Sequence, residues 1–147
     1  MPYEQQRLAV SYVFCDRAHI VKAFFSVAND RISREKNVEK NMKTRDRAVR
    51  KSIPHEKHMR HYPAVKIGRL GVDSSLQGTG FGSIVLNSIK GMFLVANKTG
   101  CRFVTVDAYN QSNVLGFYQK NGFNFLINGD ENEKTRALFY DLASVIL

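Results

Sequence analysis

The chain has 147 residues, of which 44% are hydrophobic and 24% charged, and its net charge is +9. A chain of this length fits one domain, and this composition is typical of a globular protein and excludes an intrinsically disordered one. Two cysteines exclude a disulfide scaffold, and no apolar stretch is long enough to cross a membrane, so we expect a cytoplasmic protein with reduced thiols and no membrane partner.

The first predicted element is a β-hairpin. Residues 7–15 and 19–29 are two runs rich in β-branched and aromatic side chains, and the polar residues 16–18 separate them. Two such runs joined by a short polar turn predict a pair of antiparallel strands.

Positive charge is concentrated in the next segment, residues 31–60. It holds 11 basic and 4 acidic residues, and therefore 7 of the 9 net positive charges. With few apolar anchors, residues 33–52 predict an exposed helix or an insertion. A field of this kind favours an anionic partner, such as phosphate groups, RNA or an acidic protein. A solvated surface that only keeps the protein soluble is the alternative.

A strand, a turn, a helix and a second strand are predicted next. Residues 64–72 form an apolar run, and residues 77–82 a glycine-rich turn. Apolar residues then recur at helical spacing to about Asn97, and Gly100 is placed where a helix cap belongs. Residues 102–108 predict the following strand. The order is typical of a strand-helix-strand unit.

A short helix and a last pair of strands complete the prediction. Ser112 or Asn113 can cap the helix, and Gly122 can end it. Residues 123–127 and 135–142 predict the two strands. The whole pattern indicates a single α+β domain with a mixed sheet.

The glycine-rich turn carries the clearest chemical signal. Backbone N–H groups converge where a glycine-rich turn opens a helix, and the helix dipole there attracts anions, above all phosphate. Gly78, Gly80 and Gly82 do not fit the G-x-G-x-x-G spacing of dinucleotide-binding loops. Gly82-Ser83 lacks the lysine of a nucleoside-triphosphate loop. A turn that serves only chain reversal is the remaining alternative.

Two motifs resemble those of the GNAT superfamily of N-acetyltransferases. Gln77-x-x-Gly80-x-Gly82, preceded by residues 70–73, is similar to the R/Q-x-x-G-x-G/A pyrophosphate loop of that family. Residues 116–123 (GFYQKNGF) are similar to its F/L-Y-x-x-x-G-F segment. The resemblance covers residues 63–125 closely. It implies one GNAT-like domain over residues 1–147, with a mostly antiparallel mixed sheet that splays at the coenzyme A site and is flanked by helices.

The resemblance also implies acetyl transfer from acetyl-coenzyme A to a primary amine. Main-chain groups of Leu70 and Val72 would pair with the pantetheine, and an amide of Leu70 or Gly71 would polarise the thioester carbonyl. Asn110 would lie against the pantetheine, and Phe117 belongs to the same site. The pyrophosphate would take backbone N–H groups of Gln77, Gly78, Thr79, Gly80, Phe81, Gly82 and Ser83.

Tyr118 matches the family tyrosine whose hydroxyl faces the sulfur of coenzyme A, so the resemblance implies a general acid; a core tyrosine is the alternative. Residues 64–73 contain no glutamate to act as the general base. Asp107, Asp73 and His61 are weak candidates, and water is another. Without a base, an α-amine is favoured over a lysine side chain, because the pKa of an α-amine is about 7.7–8.0 and that of lysine about 10.4.

Two departures from the family pattern affect the expected partners. Residues 1–6 leave little room for the strand and two helices that usually precede the hairpin, so the hairpin would expose an edge and recruit a second copy of the chain. The basic segment 31–60 and the run 67–73 resemble a GNAT subgroup of bacterial toxins that acetylate the α-amine of aminoacyl-tRNA. That subgroup implies tRNA and an antitoxin as partners.

Three functions therefore stay open at this point. The first is acetylation of a primary amine on a small molecule or protein, and the second is acetylation of aminoacyl-tRNA. The third is binding of coenzyme A or nucleic acid without turnover. His55, His58 and His61 lack convincing metal-ligand spacing, so we expect no metal.

Overall fold

The computed structural model describes residues 6, 8–33, 61–95 and 99–145. These residues form six strands, two α-helices and two short 3-10 helices, Ser74–Leu76 and Leu142–Ser144. The strands are β1 (Val10–Cys15), β2 (Val21–Ser33), β3 (His61–Val72), β4 (Phe103–Tyr109), β5 (Asn124–Phe125) and β6 (Thr135–Asp141). The helices are α1 (Phe81–Leu94) and α2 (Ser112–Lys120).

All six strands belong to one sheet, in the order β1-β2-β3-β4-β6-β5. β3 and β4 are parallel, and the other neighbouring pairs are antiparallel. The parallel pair is joined through α1, which gives the predicted strand-helix-strand unit. The predicted α+β fold with a mixed, mostly antiparallel sheet is confirmed.

The predicted hairpin is β1 and β2. Its turn is closed by Asp16, whose side chain accepts hydrogen bonds from the backbone N–H groups of Ala18 and Ile20 at 2.8 and 3.0 Å. β2 continues beyond the predicted end at residue 29, because its pairing with β3 runs on to Ser33 and buries Ile32. Residues 31–33 of the predicted basic segment therefore lie in a strand, and residues 34–60 lie outside the described residues.

The sheet has an apolar cluster on each face. α1 and α2 cover one face, where Phe25, Ile67, Leu86 and Ile89 are buried. The other face is covered by the connection after β5. A buried carboxylate fixes this connection: Asp130 accepts hydrogen bonds from Arg136 Nε and from the Ala137 N–H, both at 2.9 Å. The second cluster comprises Ile32, Tyr62, Ala64, Phe103, Leu126 and Phe139.

Several predicted boundaries change in the structure. α1 ends at Leu94 rather than near Asn97, so Gly100, with a left-handed φ of 68°, turns the connection to β4 instead of capping the helix. α2 begins at Ser112 with Gln111 as N-cap and without a side-chain capping bond. The predicted end of α2 is confirmed by Gly122, which has a φ of 90°.

The last two strands are shorter than predicted. β5 contains Asn124 and Phe125 alone, since Leu126 turns into the second apolar cluster. β6 ends at Asp141, whose side chain then accepts from the backbone N–H of Ala143 and starts a 3-10 helix. Apolar content extended both predictions, because a buried loop residue and a strand residue look alike in sequence.

Candidate functional site

The two parallel strands separate halfway along their length. β3 and β4 pair from Ala64–Phe103 to Ile67–Val106, and the pairing stops there. Beyond that point β3 stays paired with β2, and β4 stays paired with β6. The carboxyl-terminal halves of β3 and β4 are therefore the two walls of a gap in the sheet.

The main chain of β3 faces this gap at alternate residues. The Asp73 N–H donates to the Lys22 carbonyl at 2.8 Å, which makes these two residues a hydrogen-bonded pair of the β2–β3 ladder. Bonded and non-bonded pairs alternate in an antiparallel ladder, so Phe24–Gly71 is the next bonded pair. Leu70 and Val72 consequently direct their N–H and C=O groups away from β2 and into the gap.

The beginning of α1 provides free donors beside the gap. Gly80 is its N-cap, with a left-handed φ of 87° and no side-chain capping bond. The Ile84 N–H donates to the Gly80 carbonyl, whereas no hydrogen bond within the described residues uses the N–H groups of Phe81, Gly82 and Ser83. Unpaired donors at the positive end of a helix dipole attract an anion.

The loop before α1 is held in place by its own polar side chains. Gln77 Nε2 donates to the Val72 carbonyl at 3.0 Å and ties the loop to the end of β3. Thr79 Oγ1 donates to the Leu76 carbonyl. Gly78 has a φ of 76°, and a Cβ atom there or at Gly80 would meet no atom within 4 Å. The loop thus leaves open space in front of the donors.

The end of β3, the loop, the first turn of α1 and one side of α2 together form a cleft of about 410 Å³. This volume is in the usual range for small-molecule sites. The cleft is lined by Leu70, Val72, Leu76, Gln77, Gly78, Gly80, Gly82, Ser83, Asn113, Val114, Phe117, Tyr118 and Lys120. Nine of the predicted site residues are in this set: Leu70, Val72, Gln77, Gly78, Gly80, Gly82, Ser83, Phe117 and Tyr118.

Tyr118 is the most deeply buried lining residue. It is 7% exposed and packs edge-on against the rings of Phe117 and Phe123. Burial raises the pKa of Tyr118 to about 12. Among the described residues its hydroxyl has no hydrogen-bond partner, although buried tyrosine hydroxyls usually have one. This hydroxyl is a proton donor without a protein acceptor.

Four predicted residues lie outside the lining. Asn110 donates from Nδ2 to the carbonyls of Glu131 and Glu133, at 2.7 and 3.0 Å, and so holds the loop before β6. The Phe81 ring packs against Phe14, although its backbone N–H is one of the free donors. Thr79 lies outside the lining and stabilises the loop through its hydrogen bond to the Leu76 carbonyl.

Gly71 does not direct its amide into the gap, because Gly71 pairs with Phe24 on β2. The Phe24 ring lies on Gly71, so a Cβ atom there would come within 2.4 Å of Phe24 Cε1. The glycine at this position is explained by the packing of the Phe24 ring, on the face of the sheet opposite to α1 and α2. Of the two amides considered for the thioester carbonyl, the Leu70 amide is the one that faces the gap.

No candidate base lines the cleft. Asp107 pairs with Lys66 at 2.8 Å, and Asp73 accepts from Ser75 and lies 3.8 Å from Lys22 Nζ. His61 begins β3 and bonds to Ser33, so the first seven residues of the strand, at about 3.3 Å per residue, separate it from the gap.

Four lining residues were missed by sequence reasoning: Leu76, Asn113, Val114 and Lys120. Three of them follow from helical spacing. Asn113 and Val114 precede Phe117 and Tyr118 by four residues, and Lys120 follows Phe117 by three, so all lie on one face of α2. The signal for these three residues is the helical spacing, since a helix beside the loop turns one face toward it.

Two kinds of feature are absent from the described residues. No group of three or more His, Cys, Asp or Glu side chains is arranged to hold a metal ion there. His55 and His58 of the histidine cluster lie outside these residues. No helix in the described part of the chain is long and apolar enough to cross a membrane.

The fold is shared with solved structures of AtaT and KacT. AtaT complexed with acetyl-methionyl-tRNAfMet is 23% identical, with a TM-score of 0.70 over 97% of this chain and 76% of that chain. A Tyr-to-Phe mutant of KacT is 21% identical, with a TM-score of 0.68 over 97% and 76% of the two chains. AtaTR bound with AcCoA is 24% identical, with a TM-score of 0.63 over 97% and 75%. Neither a family model nor a curated protein matches the chain.

These likenesses confirm the GNAT-like fold that the two motifs implied.

Proposed function

We propose that the chain is an acetyl-coenzyme A-dependent N-acetyltransferase that acetylates a primary amine. One observation carries the proposal: three kinds of polar group, all but the Val72 carbonyl without a hydrogen-bond partner in the described part of the chain, converge on a single cleft. They are the N–H groups at the start of α1, the main-chain groups of β3 that face the gap, and the hydroxyl of Tyr118. The AcCoA-bound relative with the same fold supports it.

Two parts of coenzyme A, the phosphate groups and the pantetheine arm, would each find hydrogen-bond partners in the cleft. Phosphate oxygens would accept from the N–H groups of Phe81, Gly82 and Ser83, where glycine at positions 78 and 80 leaves room for close approach. The amide-rich pantetheine arm would form hydrogen bonds with the main-chain groups of Leu70 and Val72, as an additional strand would. The carbonyl oxygen of Val72 also accepts from Gln77 Nε2, so the same group joins the loop to the arm.

The chemical step requires two contributions from the chain. When bound, acetyl-coenzyme A supplies an acetyl thioester. The Leu70 N–H would donate to the acetyl oxygen as negative charge develops on it. The amine nitrogen would form its bond to the carbonyl carbon as the carbon–sulfur bond breaks, and the Tyr118 hydroxyl would give its proton to the departing sulfur. The amine would release a proton to water, and the phenolate of Tyr118 would take up a proton from water in turn.

The pKa of Tyr118 bears on this role in two ways. With a pKa of about 12, the phenol carries its proton at every pH at which the protein would work, as a general acid must when the leaving group departs. The raised pKa also makes the phenol a weaker acid, so its contribution depends on its distance from the sulfur rather than on acid strength.

The acceptor must arrive largely deprotonated, since no carboxylate or imidazole among the described residues lines the cleft. An α-amine, with a pKa of about 7.7–8.0, meets this condition near neutral pH far better than a lysine side chain. Water can then remove the remaining proton. The missing base therefore favours an α-amine as acceptor.

Aminoacyl-tRNA is the acceptor that the relatives favour. AtaT, which has the same fold over 97% of this chain, is seen with acetyl-methionyl-tRNAfMet, and another AtaT structure holds the C-terminus of the antitoxin AtaR. The basic segment 31–60 would supply charge for an RNA backbone. On this basis tRNA and an antitoxin are the proposed partners, and a small-molecule or protein amine is the alternative acceptor. The predicted homo-oligomer remains untested.

The test is transfer of labelled acetyl from acetyl-coenzyme A to aminoacyl-tRNA, to a polyamine and to a peptide with a free α-amine. The proposal expects turnover with at least one acceptor, and labelled aminoacyl-tRNA would identify the toxin-like reaction. Tyr118→Phe should lower turnover about 10²- to 10⁴-fold with little change in cofactor affinity. Tyr109→Phe is the control, since Tyr109 is 60% exposed and outside the cleft. Cofactor binding without turnover on any acceptor would leave the non-catalytic alternative.

A further inference from the structure

One positive charge lies among the residues that line the cleft. Of the thirteen lining residues, Lys120 is the one that is charged at neutral pH. Lys120 is the last residue of α2, and among the described residues no carboxylate lies within ion-pair distance of its ammonium. The cleft therefore carries one ammonium group for which the described part of the chain supplies no counter-ion.

The backbone at Lys120 is fixed against the beginning of α1. Asn121, the next residue, donates from Nδ2 to Ser83 Oγ at 3.1 Å and to the Phe117 carbonyl at 2.8 Å. The Asn121 carbonyl in turn accepts from Lys90 Nζ. The bond to Ser83 connects the end of α2 to the first turn of α1, and the bond from Lys90 connects it to a later turn, so the backbone at Lys120 stays beside the loop.

The side chain of Lys120 extends along the same wall. Its Nζ atom lies 5.8 Å from the centre of the Phe117 ring, at the limit of a cation–π contact. The Phe117 ring packs on Gly82, where a Cβ atom would come within 3.0 Å of it. The Phe117 ring thus lies between the Lys120 ammonium and Gly82, whose N–H is one of the free donors at the beginning of α1.

A favourable interaction with the dipole of α2 accounts for a lysine at the end of that helix, but not for its place in the cleft lining. The phosphate groups of coenzyme A carry several negative charges, and the N–H donors of the loop are neutral. A cation at this wall would supply the missing compensation.

We propose that the Lys120 ammonium is the counter-ion for a phosphate group of coenzyme A, an inference that rests on the proposed function. Coenzyme A has two candidates for this contact, the pyrophosphate and the 3′-phosphate of the ribose. Lys120 makes the site selective for the charged nucleotide end of the cofactor. It is a binding residue and takes no part in the chemical step.

Calorimetric titration of coenzyme A and of dephospho-coenzyme A tests this. Lys120→Gln should weaken binding of coenzyme A about 3- to 10-fold and reduce the dependence of the affinity on salt, because the pair is partly exposed. Lys120→Arg should restore the affinity. Lys134→Gln, an exposed lysine outside the cleft, makes the same change in net charge and should bind like the unmodified chain. Equal melting temperatures would exclude a folding defect.

The two ligands identify the phosphate. If Lys120 contacts the 3′-phosphate, the unmodified chain and Lys120→Gln bind dephospho-coenzyme A equally; if it contacts the pyrophosphate, the deficit persists with both ligands. Equal affinity of the two chains for both ligands, at equal salt dependence, overturns the inference and leaves the proposed function intact. Failure of the unmodified chain to bind either ligand contradicts the proposed function itself.

Discussion

The two halves of the β3–β4 pair differ in backbone pairing and in the exposure of their side chains. Residues 64–67 and 103–106 are joined by backbone hydrogen bonds and bury apolar side chains, among them Val65, Ile67 and Val104. Residues 68–72 and 107–109 are not paired with each other, and Tyr109 is 60% exposed. β3 thus contributes to the core at one end and to the cleft at the other, whereas no residue of β4 is among those that line the cleft.

The difference follows from what each half has available as partners. Unpaired backbone groups are costly when they are buried without water or a ligand, so a sheet can separate only where solvent or a ligand reaches it. Here the separated half adjoins the loop before α1 and the buried hydroxyl of Tyr118. We therefore expect the paired half to contribute more to stability and the separated half to the proposed binding site.

The largest change in stability is expected in the paired half. Phe103 is fully buried between Tyr62 and Phe139, so Phe103→Ala should reduce the free energy of unfolding by about 3–5 kcal/mol. Tyr109→Ala removes an aromatic ring from the separated half of the same strand and should cost less than about 1 kcal/mol. Urea denaturation measures both values. Equal losses would mean that the two halves are equally part of the core.

The next effect concerns the pH dependence of stability at Tyr118. Its pKa is raised in the folded state, so its contribution is fully present below pH 10 and is lost as the pH rises toward 12. A shift of about two units corresponds to about 3 kcal/mol. The unmodified chain should therefore lose more stability than Tyr118→Phe between pH 10 and 12. Parallel pH profiles of the two chains would contradict the burial of this hydroxyl.

A smaller loss is expected from Gly71→Ala, which adds a methyl group under the Phe24 ring. The ring must move by more than a few tenths of an ångström, since the new Cβ atom would come within 2.4 Å of it, and the cost should be about 1–3 kcal/mol. Gly91→Ala in α1 is the control, because a Cβ atom there meets nothing within 4 Å and alanine favours the helix. Thermal denaturation should separate them in sign, and a stabilised Gly71→Ala chain would disprove the packing account.

The smallest effect is expected at the point where the strands separate. The ion pair of Lys66 and Asp107 is half exposed on both sides, so Asp107→Asn should change stability by no more than about 0.5 kcal/mol. Turnover should stay the same at all pH values, because Asp107 does not line the cleft. A lost limb in the pH profile of turnover would instead identify Asp107 as the general base.

Local patterns predicted most of the fold. Apolar runs located all six strands and α1, and Gly122, with its positive φ, follows the end of α2 as predicted. The boundaries that failed depended on tertiary contacts. β2 extends through the polar residues Asp30 and Arg31 because β3 pairs with it there, and the hydroxyl of Thr105 on β4 donates to the Asp30 carboxylate.

The candidate site was predictable where the motif is contiguous and less so elsewhere. The loop residues Gln77, Gly80 and Gly82 line the cleft, since a glycine-rich turn before a helix fixes its own geometry. Asn110 was assigned by its distance along the chain, but its amide is taken by loop carbonyls that only the folded chain brings near. Lys120 required knowledge of how α2 docks on α1.

Calorimetric titration of acetyl-coenzyme A into two glycine variants tests the central claim, that the cleft beside the separated strands binds this cofactor. Gly80 and Gly100 both have a left-handed φ, 87° and 68°, and a Cβ atom at either position meets nothing within 4 Å. Gly80→Asp and Gly100→Asp therefore introduce the same charge and a similar backbone strain, one in the cleft and one outside it. The account predicts that the unmodified chain and Gly100→Asp bind acetyl-coenzyme A alike and that Gly80→Asp does not bind it. Equal binding by the two variants, or no binding by the unmodified chain, would contradict it.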